Sequence, residues 1–310
     1  MRDFGLHHVT AIASNARRNL DFYTNVLGLR LVKQTVNFDD PGTYHLYYGD
    51  ETGGPGTILT FFPWQHVAPG RTGIGQTLET SFRVPAEALG YWTHRFVERG
   101  VPHSNPEKRF GETLVPFRDP DGMGLALVAS TGASDAPAWT AGDIPTEHAI
   151  RGFNGVSLLL EDGAATGAIL TDVLGYAEAA RDGSIVRYAA AGAGPGRFVD
   201  IRSAGGFLAG RMGGGSVHHI AFRAADDAAQ KEMVQRLSEN HGISATEQRD
   251  RNYFRSVYFR EPGGILFEIA TDDPGFSADE SVETLGTALK LPRFLEPQRS
   301  EIESVLPELA

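Results

Sequence analysis

One strand-and-helix unit near the start of the chain sets the pattern for the whole sequence. It begins with the run HVTAIA (His8–Ala13), which has the apolar and β-branched residues that favour a strand. A cap at Ser14 or Asn15 follows, and apolar residues then recur every three or four positions until Gly28. Glycine readily adopts the left-handed conformation that ends a helix, so the stretch predicts a strand followed by a helix that stops at Gly28.

The same unit recurs three more times along the chain. The later strand-like runs are Thr80–Val84, Gly155–Leu160 and Val217–Arg223, and the helical patterns behind them stop at Gly100, Gly175 and Gly242. Further strands follow each helix, and equivalent turns, DPDG at 119–122 and EPGG at 261–264, separate the last strands of the second and fourth units. The sequence therefore predicts four copies of a small module with one helix and several strands.

Segment 131–148, which is rich in Ala, Gly, Pro, Thr and Asp, divides the four modules into two pairs. A chain of 310 residues is long enough for two compact units with a core each. We predict an N-terminal pair over residues 1–135, a C-terminal pair over 149–275 and a tail over 276–310, with a short helix at Pro297–Val305.

The composition is that of an ordinary globular protein, with 41% hydrophobic residues, 22% charged residues and a mean hydropathy of −0.23. The 28 basic and 39 acidic residues give a formal charge of −11, which repels phosphate backbones and acidic membranes. We therefore expect neither nucleic acid nor a membrane as a partner. No signal peptide and no apolar run long enough to span a membrane is visible, so a cytoplasmic location is the default expectation.

Cysteine is absent, so any bound metal must be held by His, Asp and Glu. Four of the ten histidines form two adjacent pairs, His7-His8 and His218-His219. Each pair lies at the start of the first strand of its module, in modules one and four. A single pair is more often incidental than functional, but its recurrence at equivalent positions favours a metal site.

The alternation of side chains along a strand separates these histidines. In module four it puts His219 on the open face and His218, with Ile220, on the face packed under the helix. Glu268 is a lone carboxylate in the apolar run Ile265–Ala270, and it shares the open face with His219. A strand glutamate more often pairs with an arginine, but its position beside His219 favours a metal.

The same alternation puts His8 on the open face of module one, opposite His7. Two imidazoles and one carboxylate form the facial triad typical of non-haem Fe(II) oxygenases. No fourth ligand is expected, because the equivalent strand of module one, Thr57–Phe62, contains no carboxylate and the equivalent position of module two is Ala126. We expect the metal between modules one and four, whereas a site in module three would use Asp200.

Several of these motifs resemble the vicinal oxygen chelate superfamily, which includes the glyoxalases, the bleomycin resistance proteins and the extradiol dioxygenases. They are GLHHVT at 5–10, VHHIAF at 217–222, EPGG at 261–264 and LFEI at 266–269. The chain most resembles the ring-cleaving dioxygenases of para-hydroquinones, through NVLGL at 25–29, KQTVNFD at 33–39, FPW at 62–64, LKLP at 289–292 and LEP at 295–297. The resemblance implies an α+β fold in which four βαβββ modules form two tandem domains, each with a curved, cup-like mixed sheet.

The resemblance also implies which residues hold the metal. Fe(II), or alternatively Mn(II), would be bound by His8, His219 and Glu268. His7 and His218 would lie beside the ligands and contribute to catalysis. The alternation of the strands instead places His7 and His218 on the packed face, and the sequence leaves this question open.

Tyr258 and Arg251 are the remaining site residues that the resemblance implies, as a hydroxyl on the substrate side and a nearby positive charge. If Gly263 lies at the centre of the hairpin, Tyr258 pairs with Glu268 and shares its face. A turn one residue shorter or longer would put a neighbour of Tyr258 there instead. A half-buried strand tyrosine and a solvated loop arginine are the ordinary alternatives for the two residues.

The activity implied by the resemblance is Fe(II)-dependent ring cleavage of a hydroquinone, with a small aromatic compound and O2 as partners. One alternative is a glyoxalase-like metal-dependent lyase or transferase, which the missing second carboxylate disfavours. Another is a non-enzymatic binding protein of the bleomycin-resistance type, which the intact His, His and Glu set disfavours. The sequence leaves open the ring substituents and the oligomeric state, with a homo-oligomer as one alternative.

Overall fold

The chain forms two curved, eight-stranded mixed sheets with short helices, and the computed structural model describes residues 4–140 and 142–309. The strands are β1 (Leu6–Ala13), β2 (Arg30–Asn37), β3 (Asp40–Gly49), β4 (Ile58–Pro63), β5 (Gln76–Val84), β6 (Glu107–Arg109), β7 (Glu112–Arg118), β8 (Gly124–Ala129), β9 (Phe153–Leu160), β10 (Tyr176–Asp182), β11 (Ile185–Ala190), β12 (Phe198–Ser203), β13 (Val217–Ala224), β14 (Arg249–Asp250), β15 (Arg255–Arg260) and β16 (Leu266–Thr271). This architecture confirms the predicted α+β class with curved mixed sheets.

Each module contributes one α-helix between its first and second strands. The helices are α1 (Ala16–Asp21), which continues as a π-helical turn over Phe22–Val26, α2 (Leu89–Glu98), α3 (Ala164–Asp172), α4 (Asp227–His241) and, in the tail, α5 (Arg299–Val305). Short 3₁₀ turns lie at Ala86–Ala88, Ala133–Asp135, Thr146–His148, Phe276–Ala278, Val282–Thr284 and Glu296–Gln298. In the described part of the chain, no helix is long and apolar enough to cross a membrane.

The predicted helix signals act as expected. The side chain of Asn15 caps α1 by accepting a hydrogen bond from the backbone of Arg18 at 2.8 Å. At the other end, Gly28 has a φ of 70°, and Gly242 closes α4 with a φ of 65°. Both glycines therefore adopt the left-handed conformation, which is unfavourable for other residues.

The strand order groups the modules differently from the chain order. The first sheet, defined by the order β14-β15-β16-β13-β1-β4-β3-β2, combines modules one and four. The second sheet, with the order β10-β11-β12-β9-β5-β8-β7-β6, combines modules two and three. The tandem grouping instead predicts one sheet for each pair, and this part of the prediction is wrong. The physical reason for the difference is that every module offers a similar first strand, and the pairing of β1 with β13 joins the two ends of the chain.

The predicted tail covers the edge of the first sheet. Lys33 of β2 is fully buried, and its ammonium group contacts Asp279 Oδ1 at 2.6 Å and Glu280 Oε2 at 2.5 Å. Further along, the backbone of Lys290 donates to the carbonyl of Gln34 at 2.9 Å. The tail therefore occupies the open edge of β2, which would otherwise expose unpaired backbone groups.

The two faces of the first sheet have different roles. Val9, Ile220 and Phe267 belong to the large apolar core, together with Met233 and Leu237 from α4. The alternate residues of the same strands point to the concave face, which carries His8, His219 and Glu268. Because the helices cover one face of the first sheet, its concave face is available for a functional site.

Candidate metal centre

His8, His219 and Glu268 converge on the concave face of the first sheet. Each offers one potential ligand atom, and these atoms all lie within 4.8 Å of one another. The Nε2 atoms of His8 and His219 lie 3.4 Å and 3.0 Å from Glu268 Oε2. All three residues are buried, and they form the one such group of potential ligands among residues 4–140 and 142–309.

The strand register brings these residues together. His8 on β1 and Glu268 on β16 both pair with Ala221 on the strand between them, β13. His219 pairs with Thr10 one row away. The predicted hairpin register also holds, because Tyr258 pairs with Glu268 across β15 and β16.

The carboxylate of Glu268 is arranged to hold a cation. Ser256 donates a hydrogen bond to Oε1 at 2.5 Å, whereas Oε2 is buried without a hydrogen-bond partner. Burial alone favours the neutral acid, but His8 and His219 together hold the pKa of Glu268 well below its usual value. A charged, buried oxygen that faces two imidazole nitrogens and lacks a donor fits a metal-binding position.

The other member of each histidine pair lies at a β-bulge. Between Leu6 and His8 the register of β1 shifts by one residue against β13, and His7 is the extra residue. A second shift, between Thr10 and Ala11 of β1, leaves His218 as the extra residue of β13. Bulges redirect side chains, so strict alternation does not hold at these two positions.

The bulged histidines consequently contact the site and not the helices. The ring of His7 lies 5.1 Å from Phe254, and that of His218 lies 5.7 Å from Phe62 and 6.2 Å from Trp64. All three aromatic residues line the cavity above the candidate ligands. The placement of His7 and His218 under the helices, which alternation predicts, is therefore wrong.

Each bulged histidine also holds its neighbour by a hydrogen bond. The Nδ1 atoms of His7 and His8 are 2.9 Å apart, and those of His218 and His219 are 2.8 Å apart. A hydrogen bond to the backbone of Thr271 raises the pKa of His7, although burial has the larger, opposite effect. In each pair one Nδ1 donates and the other accepts, so each bulged histidine fixes the orientation of the candidate ligand ring beside it.

Burial disfavours the charged form of three imidazoles of the site, those of His7, His218 and His219. Burial lowers the pKa of His7 well below its usual value and also lowers that of His219. Burial and the neighbouring His219 lower the pKa of His218 to about 4. Neutral histidines are the form that binds a metal ion.

A cavity of about 360 Å³ opens above this group. Its walls include the aromatic residues Phe38, Phe62, Trp64 and Phe254. A mostly apolar wall with a few polar groups at one end is typical of a small-molecule site. The cavity therefore suits a small aromatic compound that meets the candidate ligands with one polar end.

Tyr258 and Arg251 both line this cavity, as predicted. Arg251 donates from Nε to the Tyr258 hydroxyl oxygen at 3.2 Å and from Nη2 to Asp39 Oδ2 at 3.0 Å. Burial and the charge of Glu268 raise the pKa of Tyr258, although Arg251 opposes the shift. The phenol therefore keeps its proton in the free protein. No local pattern in the sequence points to Asp39 as the partner of Arg251, because the two residues are distant along the chain.

Three further residues of the concave face escaped the sequence reasoning. They form a chain in which the Tyr47 hydroxyl lies 2.9 Å from His45 Nδ1, and His45 Nε2 lies 2.7 Å from Thr60 Oγ1. Tyr47 and His45 line the cavity. The internal repeat could have revealed them, because they occupy in module one the positions that Tyr258, Ser256 and Glu268 occupy in module four.

The position that would hold a second carboxylate ligand is occupied by Thr60. It pairs with Thr10 just as Glu268 pairs with Ala221. Its hydroxyl donates to Thr10 at 2.9 Å. The first sheet therefore offers three candidate ligands.

The fold and this group of residues correspond to a known superfamily. Residues 5–127 match the model of the glyoxalase/bleomycin resistance protein/dioxygenase superfamily. A protein of Bacillus subtilis (strain 168) named "Putative ring-cleaving dioxygenase MhqO" is 48% identical over 305 residues, which cover 98% of this chain and 96% of that protein. The chain belongs to the glyoxalase/bleomycin resistance protein/dioxygenase superfamily.

Two further relatives narrow the comparison. The chlorohydroquinone/hydroquinone 1,2-dioxygenase of Sphingobium indicum is 34% identical over 306 residues, covering 96% of this chain and 94% of that protein. The crystal structure of a "putative dioxygenase" from Bacillus subtilis superposes with a TM-score of 0.94 at 47% identity, over 100% of this chain and 99% of that one. Both similarities extend over nearly the whole chain, including the tail.

Proposed function

We propose that this protein is a non-haem Fe(II)-dependent, extradiol-type dioxygenase that cleaves the ring of a hydroquinone. The observation that carries the proposal is the convergence of His8 Nε2, His219 Nε2 and the unpartnered Glu268 Oε2 beneath an aromatic-lined cavity. Two relatives with names in this class, one of them a hydroquinone dioxygenase, support it. In the proposed reaction both atoms of O2 enter the product, and the ring bond beside a hydroxylated carbon breaks.

His8, His219 and Glu268 are the proposed ligands, with Mn(II) as the alternative metal. Bound Fe(II) would supply the redox centre through which the ring and O2 react. Two neutral imidazoles and one carboxylate leave a divalent ion with one positive charge, which a singly deprotonated hydroquinone neutralises. The ligand set thus favours the monoanion of the substrate.

The surrounding residues have roles that follow from their hydrogen bonds. His7 and His218 hold the two ligand imidazoles in the orientation and tautomer that present Nε2. Arg251 donates to the oxygen of Tyr258, so the phenol proton is left for an oxygen in the cavity. Tyr258 is therefore placed to stabilise the deprotonated oxygen of the substrate by a hydrogen bond.

Two features of the site argue against the two alternative functions, one against each. A glyoxalase-like lyase uses a further carboxylate, and Thr60 occupies the corresponding position here. A binding protein without a metal has no need of a buried carboxylate charge that faces two imidazoles. A ring-cleaving dioxygenase accounts for both features.

Oxygen consumption by the metal-loaded protein tests the proposal. Protein reconstituted anaerobically with Fe(II) should consume one O2 for each hydroquinone, and labelled O2 should place both oxygen atoms in a ring-opened product. A parallel sample loaded with Mn(II) decides between the two metals. Iron-loaded protein that consumes no O2 with any hydroquinone would contradict the proposed function, and turnover of a glutathione hemithioacetal would favour the lyase.

A further inference from the structure

The concave face of the first sheet contains two related sets of residues. Around β16, Glu268 pairs with Ala221 on one side and with Tyr258 on the other. Around β4, Thr60 pairs in the same way with Thr10 and with Tyr47. Tyr47 is therefore the counterpart of Tyr258 on the opposite side of the cavity.

The hydrogen bonds fix the direction of the Tyr47 hydroxyl. Thr60 donates a hydrogen bond to Thr10 at 2.9 Å, so the oxygen of Thr60 accepts a hydrogen bond from His45 Nε2. With Nε2 protonated, Nδ1 of the neutral His45 is an acceptor, and Tyr47 donates to it at 2.9 Å. The proton of Tyr47 is thus committed to His45, and its oxygen is left as an acceptor.

Tyr258 has the opposite polarity. An arginine nitrogen can only donate, so the oxygen of Tyr258 accepts from Arg251 and its proton is available for another acceptor. The cavity therefore has one phenol that donates and one that accepts. Tyr258 stands next to the strand of Glu268, whereas two strand spacings, about 10 Å, separate the backbones of Tyr47 and β1.

We propose that Tyr47 is a specificity-determining residue whose oxygen accepts a hydrogen bond from the substrate hydroxyl that lies para to the metal-side oxygen. His45 and Thr60 are positioning residues that keep the proton of Tyr47 turned away from the cavity. The inference rests on the proposed function and deepens it, because it names the group that recognises the second hydroxyl.

The polarity of the site matches a singly deprotonated para-diol. Its phenolate oxygen accepts a hydrogen bond from Tyr258, and its remaining hydroxyl can donate a hydrogen bond to Tyr47. A para-methoxy group has no proton to donate and meets the acceptor oxygen of Tyr47 with its own lone pairs. An unmatched buried acceptor is costly, so the site should distinguish the two compounds.

Equilibrium binding under anaerobic conditions tests this directly. We would titrate Fe(II)-loaded protein with hydroquinone and with 4-methoxyphenol by calorimetry, in the absence of O2 so that no turnover occurs. One hydrogen bond should make hydroquinone bind about five- to tenfold more tightly. Tyr47→Phe should remove this preference while its iron content stays at the level of the unaltered protein.

Tyr48→Phe is the matched control on the same strand. The Tyr48 hydroxyl bonds to Asn19 at 2.9 Å on the helix side of the sheet, away from the cavity. This variant loses the same atom and should keep the preference for hydroquinone. A Tyr47→Phe protein that keeps the full preference would overturn the inference.

His45→Phe tests the positioning role with a different readout. It preserves an aromatic ring but removes the acceptor that holds the proton of Tyr47, which can then turn into the cavity. We expect 4-methoxyphenol to bind several-fold more tightly than in the unaltered protein, because Tyr47 can now donate to the methoxy oxygen. A merely structural role for His45 predicts weaker binding of both compounds, and that result would overturn this part of the inference.

Failure of the proposed function has its own signature. Unaltered protein that fails to bind iron, or that consumes no O2 with hydroquinone when iron is bound, contradicts the dioxygenase itself, and the inference about Tyr47 falls with it. Iron-loaded protein that cleaves hydroquinone but binds 4-methoxyphenol equally well contradicts the role of Tyr47 alone.

Discussion

The two sheets share a strand order and a pair of β-bulges, yet their concave faces differ in chemistry. In the first sheet the bulged residues are His7 and His218. In the second sheet the register of β5 against β9 shifts in the same way, and the extra residues are Leu78 and Asn154. The backbones of the two sheets are therefore paired in the same way around the bulges, and only the side chains at these positions differ.

Among the residues that the structure describes, those of the second sheet include no group of three potential metal ligands. The positions of the two ligand histidines are taken by Glu79 and Gly155, and those of Glu268 and Thr60 by Ala126 and Asp200. Asp200 accepts two hydrogen bonds from Arg187, at 2.8 Å and 2.9 Å. Glu79 lies 2.7 Å from Arg109.

The contrast shows what converts this fold into a metal centre. A carboxylate on the concave face is available to a cation only when no arginine neutralises it. In the first sheet Glu268 faces the imidazoles of His8 and His219, whereas in the second sheet Asp200 faces the guanidinium of Arg187. A strand carboxylate paired with an arginine is the ordinary alternative that the sequence analysis considers for Glu268. Asp200 has this arrangement, and Glu268 does not.

The largest effect is expected from removing a proposed ligand in the first sheet. His8→Ala, His219→Ala and Glu268→Gln should each lose most of the bound iron and all measurable turnover, because a facial triad has no spare ligand. The matched change in the second sheet, Asp200→Asn, should leave the iron content unaltered. Metal analysis after anaerobic reconstitution measures both, and full iron occupancy in His219→Ala would contradict the ligand assignment.

In the second sheet, the change expected to lower the stability most is the removal of the buried Arg187. Arg187 is buried between Asp200 and Glu112, so Arg187→Met leaves two acidic groups without their cation and should cost about 3–5 kcal/mol. The free energy of unfolding from urea titration measures this cost. The double variant Arg187→Met with Asp200→Asn should recover part of it, whereas an unchanged stability in the single variant would show that the ion pairs contribute little.

A smaller effect is expected from the bulged histidines of the first sheet. His7→Ala removes the hydrogen bond that holds Nδ1 of His8 and orients its ring, so metal affinity should fall by roughly 10- to 100-fold without being abolished. Asn154→Ala, at the equivalent bulge of the second sheet, is the control and should not change metal affinity. A loss of iron as complete as in His8→Ala would mean that His7 is itself a ligand.

The smallest expected effect is a pH dependence of stability that arises in the first sheet. Burial lowers the pKa of His45, and that of His218 to about 4, so the unfolded chain binds protons below pH 6.5 that the folded chain rejects. The contribution of these histidines to the free energy of unfolding of the metal-free protein is therefore fully present above pH 6.5. It decreases as the pH falls toward 4. His218→Gln should flatten this slope by up to about 1.4 kcal/mol per pH unit.

Urea midpoints at several pH values measure this slope. His94→Gln is the control, because His94 is exposed on α2 and should leave the slope unchanged. A slope equal in the His218→Gln variant and the unaltered protein would show that burial of His218 does not limit its protonation.

Much of the site was predictable because it depends on local rules. The period of two along a strand placed His219 and Glu268 on one face, and the turn centred on Gly263 paired Tyr258 with Glu268. The repeated helix and its terminal glycine identified the four modules without any long-range information. Asn15 and Gly28 are capping residues whose effect extends over a single turn, so the sequence alone is sufficient for them.

What the sequence by itself determined is therefore the module, its helix ends and the face of the strand residues outside the bulges. Only the tertiary structure decided that module one pairs with module four, that His7 and His218 are bulged residues, and that His45 holds Tyr47. These features depend on contacts between distant strands, and the four modules present such similar first strands that local propensity cannot choose among their pairings. A bulge likewise exists only relative to a partner strand, because it is a mismatch in the number of residues between two paired chains.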